Sequence, residues 1–188
     1  MFSAMTIKIG ICNAWIFMSV FILQLIVIMF ADKRIRSRSH VPKEARQTSL
    51  EHSIGFIANF VWLLALGYSV FLPLLFGTIW FYIGLSVFIF GTLLLSFATF
   101  SFINTPIDQL IQKGVYTLSR HPMYLATFLI CLGSGIASAS WILILLSVIL
   151  AICFNYEALI EERYCQEIYG NIYKEYMDKV PQWFGMPK

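Results

Sequence analysis

Two polar clusters stand out in an otherwise apolar chain of 188 residues, and their residue types are those that hold a charged molecule. The first is Gly114-Val115-Tyr116-Thr117-Leu118-Ser119-Arg120-His121-Pro122-Met123-Tyr124. Proline suits the first position of a helix, where its missing N–H would be unpaired anyway, so Pro122 is expected to open a helix with His121 in the capping position. First-turn amides, the positive end of the helix dipole and two basic side chains together make a seat for a carboxylate or phosphate. Arg120 and His121 would serve equally well as headgroup anchors for that helix. The second cluster is Glu157-Ala158-Leu159-Ile160-Glu161-Glu162-Arg163-Tyr164-Cys165-Gln166-Glu167, with four carboxylates in eleven residues. Near a helix C-terminus these charges oppose the dipole and one another, and Glu157 and Glu161 are like-charged neighbours at i,i+4. Something cationic must therefore lie against them. Arg163 is spaced to pair with Glu167 and Arg120 could reach across; a bound cation would do the same, and a purely structural ion-pair network is the alternative.

The elements that position these clusters are membrane spans. Hydrophobic residues make up 59% of the chain and charged ones 12%, against roughly 45–50% and about 25% in soluble domains. No Asp, Glu, Lys or Arg lies between Glu51 and Asp108, or between Arg120 and Glu157, and each gap holds two helices of ~20 residues. The expected fold is all-α: an integral membrane bundle of about five spans at 7–31, 53–74, 79–102, 122–137 and 141–158, followed by an amphipathic helix over 157–178. Residues 1–103 carry the first three spans and 104–188 the part with the chemistry. The first apolar run is longer than a signal-peptide core and is expected to remain as a span. Lys33, Arg34, Arg36, Arg38, Lys43 and Arg46 in one loop, Lys113 and Arg120 in another, and Arg163, Lys174, Lys179 and Lys188 in the tail put both clusters on the cytosolic side. The basic loop suits anionic headgroups, at ~1 kcal/mol per charge near the surface. It lacks interleaved aromatics, so a nucleic-acid partner is not expected. Cys12, Cys131, Cys153 and Cys165 form no CxxC pair and read as packing residues, and no metal site is expected. Gly84, Gly91, Gly133 and Gly135 suit close helix packing or self-association.

The turn 138–140 makes the last two spans a tight antiparallel hairpin. Both clusters then meet at one membrane face and can enclose one pocket, with an anion seat, a carboxylate wall and the cation-attracting rings of Tyr116, Tyr124 and Tyr156. A ligand with a carboxylate, an ammonium and a sulfonium matches that pattern, which is the charge pattern of S-adenosylmethionine.

The order Gly-x-Tyr-x-x-x-Arg-His-Pro-x-Tyr, followed one hairpin later by Glu161-Glu162-Arg163, Glu167, Tyr169-Gly170, Tyr173, Tyr176 and Val180-Pro181, resembles the isoprenylcysteine carboxyl methyltransferase and phospholipid methyltransferase family over about 104–188. The resemblance implies a membrane-embedded enzyme that moves a methyl group from S-adenosylmethionine to a lipophilic small molecule or lipid. It implies that Leu110, Gly114, Val115, Tyr116, Arg120, His121, Pro122, Tyr124, Glu161 and Glu162 bind the cofactor, with Arg163 and Glu167 as catalytic residues that lie toward the acceptor or brace the pocket. An isoprenylcysteine-like carboxylate is the first expectation for that acceptor; a phospholipid amine or a thiol is the alternative. The chain has Ala126 where the family often has glycine, and its third span offers isolated Gly84 and Gly91 instead of a Gly-x-Gly, which weighs against phosphatidylethanolamine. The compartment would be the plasma membrane of a prokaryote or the endoplasmic reticulum of a eukaryote. A non-enzymatic membrane scaffold or lipid-binding protein, whose motifs only anchor helices at the interface, is the reading from another class.

Overall fold

The computed structural model describes residues 10–30, 48–106 and 108–185, and every regular element among them is helical. We number them α1 (Trp15–Phe30, with a turn at Ser19), α2 (Ser49–Ser69), α3 (Ile79–Asn104), α4 (Pro122–Ala137), α5 (Trp141–Tyr169) and α6 (Asn171–Lys179), with a single 3₁₀ turn at Gly114–Thr117. The chain is an integral membrane helical bundle: α2, α3 and α5 are long and apolar enough to cross a bilayer, and α1 and α4 are shorter apolar helices. Large apolar side chains turned outward, such as Leu63, Phe97, Phe100 and Val148, are what a lipid environment calls for. The basic segment expected against headgroups, 33–46, lies outside the described residues.

The short α4 is packed between α3 and α5, with α2 running along α5 and α1 touching α2, α3 and α4. Its sixteen residues fall below the ~20 of a full span, but it meets protein over most of its surface: Ala126, Ile130, Cys131, Gly133, Ser134, Gly135 and Ala137 are all buried. Glycines set the α3–α4 separation. A Cβ added at Gly84 would lie 2.6 Å from the Gly133 carbonyl oxygen, and one at Gly133 would lie 2.7 Å from the Phe88 amide nitrogen, so the two backbones touch where side chains would otherwise hold them apart. Close helix packing within the chain is thus one use the fold makes of these glycines.

One end of the bundle is stitched by backbone. Ala14 N donates to Leu72 O at 2.8 Å, Leu74 N to Cys12 O at 3.1 Å and Leu75 N to Ala137 O at 3.1 Å, while buried Asn13 gives Nδ2 to Val70 O at 2.7 Å. Span boundaries shift accordingly. α2 stops at Ser69 rather than 74, because 70–74 turn to pair with 12–14, and it starts at Ser49 rather than 53. That earlier start is capped by Thr48, whose hydroxyl accepts from Glu51 N at 3.2 Å, a Thr-x-x-Glu arrangement.

The largest departure from expectation concerns the tail. The fifth span and the first part of the expected 157–178 helix are one element, α5, of 29 residues. At 1.5 Å per residue the run from Trp141 to Glu161 is about 30 Å, the depth of a hydrocarbon core. The rest of α5 extends beyond that depth. Gly170 ends it at φ +54°, a conformation that suits glycine, and the chain reverses into α6. Tyr173 and Tyr176 then pack with Val180, with Leu110, Cys165 and Tyr169 around them.

Gly84→Ala is expected to lower stability by about 1–3 kcal/mol through overpacking against α4. Gly67→Ala, in α2 with nothing within 4 Å of the added Cβ, should be neutral or gain up to about 1 kcal/mol. Thermal unfolding of both variants in detergent checks the contrast.

Candidate active site

At the other end of the bundle the two polar clusters meet. Pro122 occupies the first position of α4 and His121 the capping position, but the imidazole makes no capping bond. It turns across the hairpin instead. His121 Nε2 lies 3.1 Å from Glu162 Oε1 and His121 Nδ1 lies 3.5 Å from Glu161 Oε2. The same Glu162 Oε1 accepts from Arg120 Nε at 2.8 Å. One buried carboxylate oxygen therefore joins two cations, and His121 and Glu162 are each 5% exposed. The Glu161 side chain is 38% exposed, so this carboxylate opens to the surroundings.

Burial alone would lower the His121 pKa, but the hydrogen bonds and charges of Glu161 and Glu162 outweigh it and raise the group to about 9. The imidazole is thus a cation at neutral pH. Two positive groups, Arg120 and His121, stand against two negative ones, Glu161 and Glu162, and the cluster is balanced.

Arg120 carries a second duty that its sequence position does not announce. Its Nη1 donates to Val180 O at 2.7 Å and Met177 O at 3.1 Å, and its own amide donates to Pro181 O at 3.1 Å. The arginine expected as an open anion seat is instead occupied by Glu162 and the tail backbone. Tyr176 buttresses this arrangement by donating its hydroxyl to Tyr116 O at 2.6 Å, and burial raises its pKa, keeping the phenol protonated. Tyr124 stacks on His121 with ring centroids 5.7 Å apart, and on Phe154 at 4.9 Å, both at 13°. Trp183 adds a third ring 6.2 Å from His121, and its indole N–H donates to Asn155 Oδ1 at 3.2 Å.

Of the residues singled out from sequence, Arg120, His121, Tyr124, Glu161 and Glu162 converge, and Pro122 is buried beneath them. Leu110 packs against the Tyr173–Tyr176–Val180 cluster, and Val115 packs with Tyr116 against Ala98 and Phe102. Gly114, at φ +63°, is exposed, and a Cβ there would meet Ser101 Oγ at 2.6 Å. Arg163 does not pair with Glu167: its Nη2 bonds Glu51 Oε2 at 2.9 Å, tying the first turn of α2 to α5, while Glu167 is exposed. Tyr156 is 48% exposed and makes no ring contact with His121, unlike Tyr124 and Trp183. Sequence reasoning did not place Asn155 or Trp183 at the site. Asn155 had a signal, as a lone amide in an apolar span, where polar side chains need partners.

A histidine whose folded pKa is raised above its ordinary 6.5 to about 9 contributes stability that is complete below the ordinary value and lost as pH rises through the folded one. Unfolding temperature in detergent is expected to fall between pH 7 and pH 10. In His121→Gln that decline should flatten. Arg120→Ala, which leaves buried Glu162 short of one cation, should cost about 3–5 kcal/mol at neutral pH.

The chain is similar to known proteins over part of its length. A protein-S-isoprenylcysteine O-methyltransferase of Schizosaccharomyces pombe is 33% identical over 79 residues, which are 42% of this chain and 33% of that enzyme. The chain thus matches about a third of the length of that curated relative. The profile of the phospholipid methyltransferase family matches residues 62–172, more than half of the chain, from mid-α2 through the helix hairpin into α6. On this match the chain belongs to the phospholipid methyltransferase family.

Proposed function

We propose that this chain is a membrane-embedded methyltransferase that takes its methyl group from S-adenosylmethionine and delivers it to a lipophilic carboxylate of the isoprenylcysteine kind. The observation that carries this reading is the buried His121–Glu162–Arg120 junction with Glu161 open beside it. These residues suit such a donor. The exposed Glu161 carboxylate and the Tyr124 and Trp183 rings fit a group with ammonium and sulfonium charge, and the first turn of α4, with its helix-dipole end, fits a carboxylate. A balanced four-charge cluster accepts a donor with cationic and anionic ends more readily than a cluster with excess charge of either sign. When bound, the donor supplies an electrophilic methyl group on sulfur. The chain's own contribution is to fix donor and acceptor in line and keep water away.

The state of the carboxylates favours an acceptor that needs no base. A prenylcysteine α-carboxyl, with a pKa of roughly 3.3–3.7, is an anion at neutral pH. An amine or thiol acceptor would have to lose a proton to a side chain. Glu162 holds both Arg120 and His121 through Oε1, so protonating it would weaken two ion pairs at once. Glu161 faces the charged His121, and Glu167 is exposed with no ion pair among the described residues. The likeness to the fission-yeast isoprenylcysteine O-methyltransferase supports carboxylate O-methylation. The second reading, phospholipid amine N-methylation, is favoured by the match to the phospholipid methyltransferase family.

The lipid acceptor would approach between helices from the bilayer, and the donor from the water side. Lys113, Lys174 and Lys179 are exposed in the segments that adjoin the site, so this end is proposed to face the cytosol. The 104–188 half is proposed to carry the chemistry.

A labelled-methyl assay with detergent-purified protein against prenylcysteines, phospholipids and small thiols is expected to give labelled ester from the prenylcysteines. Activity should drop about a hundredfold or more in His121→Ala and Glu162→Ala, the scale of a broken buried charge pair. Label in phospholipid alone would select the second reading; no S-adenosylmethionine binding by calorimetry would end both.

A further inference from the structure

His121 and Glu162 are almost fully covered, so a molecule that reaches them has to displace a cover. Tyr124 is one such cover, but it rides on the first turn of α4 and is clamped between His121 and Phe154. It belongs to the packed bundle. Trp183 is the other, and it sits in the short irregular segment 180–185 after α6.

That segment is held mainly by single hydrogen bonds. Its backbone pairs with 118–120 through Arg120 N to Pro181 O at 3.1 Å and Gly185 N to Leu118 O at 3.3 Å, and Ser119 Oγ donates to Gln182 O at 3.2 Å. Phe184 points outward, 64% exposed. Gln182 Nε2 is buried without an acceptor among the described residues, so the segment is seated with one polar group unsatisfied. Beyond Val180, whose side chain packs with Tyr173 and Tyr176, the side-chain hydrogen bond among the described residues that ties the segment to α5 is the indole N–H of Trp183 on Asn155 Oδ1. Asn155 lies two helical turns before Glu162 and so on the same face of α5. The tie therefore spans the face that carries the charge cluster. Behind this segment, Arg120 Nη1 grips the Met177 and Val180 carbonyls, which fixes the hinge end while leaving 182–185 on weaker bonds.

We propose that 180–185 is a gate over the donor site, with the Trp183–Asn155 hydrogen bond as its latch, and that Trp183 is a positioning residue which sets how long the bound molecule stays. This rests on the reading of the site as a methyl-donor site. The ring that closes the gate is also the one whose face attracts a cation most strongly, so closing and holding a sulfonium are one event. Opening needs the loss of the latch, the two backbone bonds and the Ser119 hydroxyl bond to Gln182 O, with no helix unfolded.

The test uses tritiated S-adenosylhomocysteine bound to the full chain in detergent, with release followed after dilution into unlabelled ligand. Trp183→Phe keeps a ring and removes the donor; Asn155→Ala removes the acceptor. Each is expected to release about tenfold faster, the factor one hydrogen bond is worth, and the double variant no faster than either alone. Deuterium exchange at the amides of Arg120 and Gly185 should quicken in both variants without a change in the α4 and α5 amides. Unchanged release rates in a folded Trp183→Phe protein overturn the gate and leave the donor site standing. A parent protein that binds no S-adenosylhomocysteine overturns the functional reading and the gate with it. Should Asn155→Ala fail to fold, Trp183→Phe alone decides.

Discussion

A single carboxylate oxygen organises the polar end of this bundle. Glu162 Oε1 receives Arg120 Nε at 2.8 Å and His121 Nε2 at 3.1 Å, and through those two neighbours it is joined to everything around it. Arg120 carries the junction to the backbone of α6 and the tail, and His121 carries it to Glu161, Tyr124 and Trp183. Burying an ion pair is costly, and a pair alone is a weak reason for stability. A shared oxygen with two cations, each making further hydrogen bonds, is a different case, because removing any one member leaves a buried charge uncompensated. Such a network holds one arrangement of α4, α5 and tail against alternatives that hydrophobic packing alone would leave nearly equal in energy.

That junction exists only because α4 and α5 run side by side at the right offset, and the offset is set at the far end. The turn 138–140 closes tightly, with Ser140 N on Gly135 O at 2.8 Å and the Ser140 hydroxyl capping α5 through Leu143 N at 3.3 Å. From there α4 has sixteen residues to reach Pro122. A short α4 brings His121 level with the point where α5 leaves the hydrocarbon, where charged groups cease to be forbidden by the lipid. The helix is affordable at this length because Gly84, Gly91 and Gly133 let α3 shield it from lipid. Its hydroxyls cause no difficulty in that setting: Thr127 and Ser134 donate to carbonyls four residues back at 2.9 and 2.7 Å.

Much of this was legible in the residues. Long uncharged runs exposed the helices, and two clusters separated by one hairpin had to meet, since an antiparallel pair joined by three residues offers them no other place. The meeting of His121 with the glutamates, and of Arg120 with Glu162, follows from that geometry. What sequence could not show was the fate of groups with more than one eligible partner. Arg163 could pair at i,i+4 with Glu167 or leave its helix for Glu51, and only the tertiary position of the capped α2 start decides for Glu51. The tail misled for a related reason. Tyrosine spacing over 169–176 is helical on both sides of Gly170, so the pattern conceals a reversal that one positive φ angle creates.

The division of labour between the two arms of Arg120 has a consequence for how the site could have been assembled. Its Nε faces the charge cluster while Nη1 faces two carbonyls of the tail, so the tail docks on a group whose charge is already balanced. Lysine could not do both, because a single ammonium has no rigid fork with which to address a carboxylate and a backbone turn in different directions. Neutral carbonyl acceptors, moreover, hold the tail without adding charge that a zwitterionic ligand would have to overcome. A tail bound there by carboxylates would compete with Glu162 for the arginine; held by carbonyls at its hinge and by one indole N–H beyond it, the segment 182–185 can leave and return while the junction beneath it stays intact.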